Sequence, residues 1–167
     1  WFWSCIFYCS KFRYKYLTAS SLWKVFSTPG SRNQLIYDKC KPLDTSKYKG
    51  FSTTSPMHWG HKYEPVSVEI YENLYKTKVE DFGCLKDNNY SFLGVSPDGI
   101  NVDETSERYG RMLEIKNIVS REINGIPKKE YWVQMQLQME VWDLDECDFL
   151  ETVYKDYENE EAFNNDG

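Results

Sequence analysis

Apolar clusters and polar runs alternate along this chain, and their spacing predicts its elements. Thr18-Ala19-Ser20-Ser21 places cap-forming residues ahead of Leu22, Trp23, Val25 and Phe26. This predicts a first helix from near Ser20 that stops before Pro29-Gly30. Residues 27–54 are polar and read as loop, with one short helical stretch around Asn33–Lys39. Ser55-Pro56 sets a cap before a proline at the first helical position, opening a second helix that runs to about Tyr75. Pro65 kinks that helix or resets its start. Residues 77–96 read as two strands joined by the turn Lys86-Asp87-Asn88-Asn89. A polar excursion containing Asp103–Arg108 precedes a strand at Met112–Ile118. A helix at about Lys128–Leu144 and a strand at Asp148–Tyr154 complete the series. Strands and helices in this order imply an α/β domain with a mixed β-sheet flanked by helices.

The helix at 128–144 carries more information than its amphipathicity. At about 100° per residue, Trp132, Met135, Met139 and Trp142 form one apolar stripe, and Val133, Leu137 and Val141 a second. Gln136 and Glu140 fall between them on the side expected to face solvent. Tyr131, Gln134 and Gln138 fall between them on the other side, so the two glutamines are at least partly buried and need partners. A metal-bound water or a carboxylate would serve; so would backbone groups in the core.

Composition sets the class. A chain of 167 residues that is 41% hydrophobic and 17% aromatic has the size and content of one folded domain. A net charge of −6 argues against a nucleic-acid partner until the chain is divided. Residues 1–50 hold nine Lys/Arg against two Asp, a balance of +7, and the remainder carries −13. A basic N-terminal third suits a phosphate-contacting surface, though a solvated charged face has the same composition. Five scattered cysteines (Cys5, Cys9, Cys40, Cys84, Cys147) show no zinc spacing and read as reduced thiols of an intracellular protein. His58 and His61 are the only histidines, and no further ligand completes a zinc site around them. The apolar opening, residues 1–9, is shorter than the roughly 20 residues a membrane span needs and lacks a basic leader, so no membrane partner and no secretion are expected. It reads as a buried first segment or as a consequence of where a fragment begins, because residue 1 is not Met. The organisation expected is one domain over 1–155, with a basic helical part at about 10–50 and a core at about 55–155. The acidic tail 156–167 reads as frayed or truncated.

The chemistry concentrates in Ser96-Pro97-Asp98-Gly99 and Leu113-Glu114-Ile115-Lys116. Strand alternation sends Glu114 and Lys116 to one side and Leu113 and Ile115 to the core. A Pro-Asp-Gly turn at the end of the preceding strand can hold Asp98 beside them. Two carboxylates make an oxygen-rich site suited to Mg²⁺, and the Lys116 ammonium adds a proton donor or a water-orienting charge. Such a site can activate water for in-line attack on a phosphodiester. A lone E-x-K is far more often an exposed edge-strand ion pair worth at most about 1 kcal/mol. Its position after SPDG, between apolar neighbours, is what singles this one out. Glu64, in Gly60-His-Lys-Tyr-Glu64, is a third candidate carboxylate.

In order, G-x-x-x-E (Gly60 to Glu64), SPDG (96–99), LEIK (113–116) and Y-x-x-Q-x-Q (Tyr131, Gln134, Gln136) resemble the YqaJ-type viral recombinase and lambda exonuclease family of the PD-(D/E)xK nuclease superfamily. The likeness runs from about Arg13 to Phe149. It implies a restriction-endonuclease-like core in which Asp98, Glu114 and the Ile115 backbone carbonyl bind Mg²⁺, or Mn²⁺ as a substitute, with Glu64 near the metals. Lys116 would orient or activate the attacking water and Gln134 would help hold it, with Gln138 and Tyr131 in support. Arg13 and Thr18-Ala19-Ser20 match the family's R-x₄-T-A-S segment, whose Arg and Ser bind the 5′-phosphate of a DNA end. That places the phosphate pocket at a helix N-terminus, where backbone N–H groups favour anions. Cys9 stands where a tryptophan usually precedes the Arg, and Asn117 follows LEIK in place of Cys-Pro. The C-terminal cysteine cluster of iron–sulfur relatives is absent from this sequence, so neither an Fe–S cluster nor zinc is expected.

The resemblance implies a Mg²⁺-dependent exonuclease that degrades linear double-stranded DNA from the 5′ end for recombination or genome processing. DNA ends are its substrate partner, with a single-strand annealing protein and a homo-oligomer as further candidate partners. If viral, it would work in the host cytoplasm or nucleus. Two alternatives remain at this point: a structure-specific or nicking endonuclease, and a non-catalytic DNA-binding relic.

Overall fold

The computed structural model describes residues 12–42 and 56–166, with side chains of 56–58 left aside. The apolar opening at 1–9, the Ser55 cap and the His58 side chain therefore lie outside the described residues. After a helical turn at 12–15, strand β1 (Leu17–Thr18) leads into helix α1 (Ala19–Leu22), which tightens into a 3-10 turn at Trp23–Phe26. Helices α2 (Pro29–Cys40) and α3 (Pro56–Tyr75) follow. Then come β2 (Val79–Glu80), β3 (Leu85–Lys86), β4 (Leu93–Val95), β5 (Gly99–Asn101) and β6 (Met112–Ile118). Helix α4 (Lys129–Trp142), strand β7 (Cys147–Val153) and helix α5 (Glu160–Asn165) close the series.

Two small sheets result, ordered β1-β4-β3 and β2-β5-β6-β7. Both are mixed: β1 runs parallel to β4 and β6 parallel to β7, while β3–β4, β2–β5 and β5–β6 are antiparallel. The α/β class with a mixed sheet flanked by helices is thus the observed one. The chain passes from the first sheet to the second at Ser96-Pro97-Asp98, so Asp98 stands at the seam between them.

Several boundaries differ from expectation, each for a local reason. The first helix starts where predicted but relaxes into 3-10 geometry. Ser21 Oγ donates to the Thr18 carbonyl at 3.0 Å, and the Thr18 hydroxyl bonds those of Ser20 and Ser21, competing with regular helix. The first helix does stop before Pro29-Gly30, and Pro29 then opens α2. Thr28 Oγ1 accepts from the Ser31 N–H at 3.2 Å and Pro29 takes the first helical position, where its missing N–H costs nothing. The short helical stretch expected around Asn33–Lys39 is thus a longer helix, from 29 to 40, and residues 43–54 of the expected loop lie outside the described ones. The expected turn at 86–89 spans more residues: buried Asp87 accepts the Tyr90 N–H, and Leu93 N–H returns to the Tyr90 carbonyl at 2.8 Å. Residues 77–96, read as two strands, hold three: β3 and β4 flank the turn and pair, while β2 joins the other sheet. Trp132, expected in an apolar stripe, is 53% exposed, because it sits in the first turn of α4, beyond the part that packs. The tail does not fray over 160–165. Asn159 caps α5 by accepting from Ala162 N–H at 2.9 Å, and Lys155 holds Asp166 at 2.7 Å.

Beneath β6 the core gathers Tyr71, Val79, Leu113 and Ile115, with Val68 and Leu150 against them. Leu113 and Ile115 thus occupy the side that strand alternation assigned. A polar seam ties α3 to the sheet: Ser67 Oγ donates to Asn117 Oδ1 at 2.7 Å, as does Thr152 Oγ1, and Asn117 Nδ2 donates to the Gly60 carbonyl at 2.7 Å. Helix α3 runs unbroken through Pro65, which does not reset its start as expected, and Asn117 binds it ahead of that proline, at Gly60.

Gly99 is fixed by close approach. A Cβ there would lie 2.2 Å from Val79 Cγ1, inside any permissible contact. Gly99→Ala is therefore expected to destabilise the domain by roughly 1–3 kcal/mol through overpacking. Denaturant unfolding measures this, and combining it with Val79→Ala should recover part of the loss.

Candidate active site

One cleft of about 290 Å³ collects almost every singled-out residue. Arg13, Thr18, Ala19 and Ser20 line one wall, supplied by the turn at 12–15, β1 and α1. Asp98 enters from the crossover between sheets, Glu114 and Lys116 from β6, and Tyr131, Gln134 and Gln138 from α4. The parallel pairing of β1 with β4 (Thr18 beside Gly94) is what brings the N-terminal segment alongside the Asp98 crossover, and α1 packs on α4. At Gly94 a Cβ would meet the Phe12 ring at 2.5 Å, so the missing side chain lets Phe12 pack there as part of the cleft wall.

Each polar group at the floor is held. Asp98 Oδ2 accepts the Ile115 backbone N–H at 2.6 Å, which fixes it beside Glu114. Glu114 is wholly buried; its Oε1 accepts from Gln134 Nε2 at 2.6 Å and from the Lys116 ammonium, while its Oε2 has no protein partner. Lys116 Nζ also reaches the Ile115 carbonyl at 3.3 Å and lies 5.3 Å from the Tyr131 ring centre. Gln138 Nε2 donates to the Ser96 carbonyl at 3.1 Å, leaving its buried Oε1 unpartnered. Both glutamines inferred from helical periodicity are thus buried: one binds a carboxylate, the other binds backbone. Gln136 is exposed, as that periodicity required.

The electrostatics follow from this crowding. Burial, then the charge of Glu114, push the Asp98 carboxyl well above its usual range, with Glu64 adding to the effect against Lys116 and the Ile115 N–H. For Lys116, burial works to lower the pKa, but the Glu114 and Asp98 charges outweigh it and raise it. Lys116 is therefore an ammonium at neutral pH, suited to donating a proton or orienting an anion. Burial, with Glu114 and Asp148 adding, also lifts the Cys147 thiol to about 12, so it remains a thiol beside this floor.

Two carboxylates on the floor of one cleft, one with an unpartnered oxygen, form a donor set fitting a divalent cation. Among the described residues no three His, Cys, Asp or Glu side chains converge into a closed cage. An open site of two carboxylates and a carbonyl suits Mg²⁺, which keeps several of its waters. Glu64, half-buried on α3, pairs with His61 at 3.5 Å and acts on Asp98 through its charge without closing on the pair. Arg13 and Ser20 are exposed at the other wall. Lys39 donates to the Tyr16 carbonyl at 2.6 Å and to the Arg13 carbonyl, pinning the turn that carries Arg13. Part of the basic N-terminal charge is therefore structural. Trp23, Cys84 and Glu130 also line the cleft without having been singled out. Trp23 looked like part of an apolar helix face, and Glu130 carries no signal beyond its place in a first helical turn.

Fold and site together define a mixed-sheet α/β domain of the restriction-endonuclease-like class, with Glu114 and Lys116 presented from one strand and Asp98 from the crossover beside it. The chain belongs to the YqaJ-like viral recombinase domain family, whose model matches residues 10–145. It is 32% identical over 170 residues to Uncharacterized protein R354 of Acanthamoeba polyphaga mimivirus, covering 92% of this chain but only 30% of that protein. Among solved structures it resembles the alkaline exonuclease LHK-Exo of Laribacter hongkongensis, with a TM-score of 0.65 and 25% identity over 84% of this chain and 71% of that one. LHK-Exo in complex with dAMP aligns with a TM-score of 0.62 and 25% identity, over 88% and 72% of the two chains. Among the described residues no helix is long and apolar enough to cross a membrane.

Proposed function

We propose that this domain is a divalent-metal-dependent deoxyribonuclease that shortens linear double-stranded DNA from its 5′ ends. The observation that carries the reading is a single cleft holding Asp98, Glu114, Lys116 and Gln134 on its floor and Arg13 and Ser20 on its wall. Asp98, Glu114 and the Ile115 carbonyl would hold Mg²⁺, or Mn²⁺ in its place, with Glu64 contributing charge nearby. The bound cation would supply an activated water and stabilise the oxygens that gain charge during in-line displacement.

The protein groups do the rest. Gln134 fixes Glu114 through the 2.6 Å bond, so the carboxylate meets its ligand without reorganising. Lys116, held as an ammonium by its acidic neighbours, orients the attacking water or donates to the phosphate oxygens. Tyr131 stands against the Lys116 ammonium and Gln138 braces the Ser96 carbonyl beside Asp98. Arg13 and the Ser20 hydroxyl receive the terminal 5′-phosphate, which sets the register of cleavage. Removal of the 5′ strand leaves a 3′ overhang, the substrate of a single-strand annealing partner, and a homo-oligomer would keep the enzyme on its track.

Incubation of end-labelled linear duplex and covalently closed circular DNA with Mg²⁺ tests the substrate. The expected result is release of 5′ label from linear duplex with closed circles left intact. Nicking of closed circles would instead establish an endonuclease, and no metal-dependent turnover on any DNA would mark a binding relic. Arg13→Ala is expected to erase most of the preference for 5′-phosphorylated over 5′-hydroxyl ends, roughly 10-fold or more for a lost charge-assisted bond. Equal rates on both ends in the parent protein would refute that role.

A further inference from the structure

A second, smaller cavity of about 150 Å³ adjoins the cleft and is lined by Trp23, Phe26, Ser27, Lys129, Glu130 and Val133. Trp23 and Glu130 belong to both cavities, so they form the partition between them. We propose that this cavity is a nucleobase subsite, in which one base of the bound DNA strand stacks on Trp23 while its phosphate lies in the main cleft; the inference rests on the DNA-end reading above.

The chemistry of the walls selects a base over a phosphate. Trp23 and Phe26 come from the 3-10 turn that follows α1, and Phe26 is 63% exposed although it is a large apolar ring. Val133 of α4 supplies a further apolar wall. Aromatic faces of this kind bind bases of any sequence, because every base presents a π-face. The Glu130 carboxylate, shared by both cavities, can accept a hydrogen bond from an exocyclic amino group of the base. Lys129 is exposed at the rim, where it can meet a neighbouring phosphodiester. A strand entering the cleft would thus keep its phosphates near Arg13, Ser20 and Lys129 and turn one base towards Trp23.

The test is a coupling between base and ring. Equilibrium binding is measured with Mg²⁺ present, in a Lys116→Ala background, to 5′-phosphorylated duplexes lacking the base at the first, second or third nucleotide. Loss of one stacked base is expected to weaken binding about 5- to 100-fold at one of these positions. Trp23→Ala should abolish that dependence, Phe26→Ala should reduce it, and Trp23→Phe should keep it. Phe26→Ala guards against misfolding, since that ring is largely exposed. If base omission has no effect at any position, or the same effect with and without Trp23, the subsite is overturned and the nuclease reading stands. If the folded protein binds no duplex at all, the DNA-end reading falls and this inference with it.

Discussion

Lys116→Ala is expected to lower metal-dependent cleavage of linear duplex by about 10²- to 10⁴-fold, the range for removing a positioned proton-transfer group. The same change has a signature in stability. Its ammonium is a cationic partner of Glu114, which is completely buried beside Asp98. Removing it leaves a buried carboxylate held only by Gln134, which is strongly destabilising in the absence of another cation. The metal-free variant should therefore melt well below the parent, and saturating Mg²⁺ should restore most of the difference without restoring cleavage. Thermal melts with and without Mg²⁺, alongside single-turnover rates, measure both. Full activity in the folded variant would remove Lys116 from the chemistry.

The second large effect belongs to Asp98. Its folded pKa is raised by burial and by Glu114, so ionising it costs the fold stability. In the metal-free protein this contribution is fully present below the unfolded carboxylate range and is lost as pH rises through the higher folded value. Asp98→Asn should flatten that dependence and make the metal-free domain more stable at neutral pH, because Asn can still accept the Ile115 N–H. A bound divalent cation reverses the preference by favouring the carboxylate. The parent should thus gain about 2.7 kcal/mol at a metal concentration of 100 Kd, whereas Asp98→Asn should gain far less and should not cleave. A melting curve shifted equally by Mg²⁺ in both proteins would place the cation elsewhere.

Much of this site could be read before the structure because its signals are periodic and local. Strand alternation put Glu114 and Lys116 on one side of β6 and Leu113 and Ile115 in the core, and both placements hold. Helical spacing flagged Gln134 and Gln138 as buried polar groups, which they are. What could not be read depends on long-range pairing. The β1–β4 pair is two residues long, too short to leave a periodic trace, yet it carries Arg13 and Ser20 to the cleft. Gly99 looked like a turn glycine, but its constraint comes from Val79 across the sheet. Thr28-Pro29 was ambiguous because proline both ends one helix and begins the next. Nor did spacing suggest that Asn117, a departure from the common pattern, would bind the Gly60 carbonyl and so tie α3 to β6.

The most direct test of the central claim is a crystal of this domain soaked in Mn²⁺ and measured for anomalous scattering. A peak is expected between the Asp98 and Glu114 carboxylates, within bonding distance of the Ile115 carbonyl, and it should be lost in Asp98→Asn. No peak there at saturating Mn²⁺, or the same peak retained in Asp98→Asn, would contradict the claim.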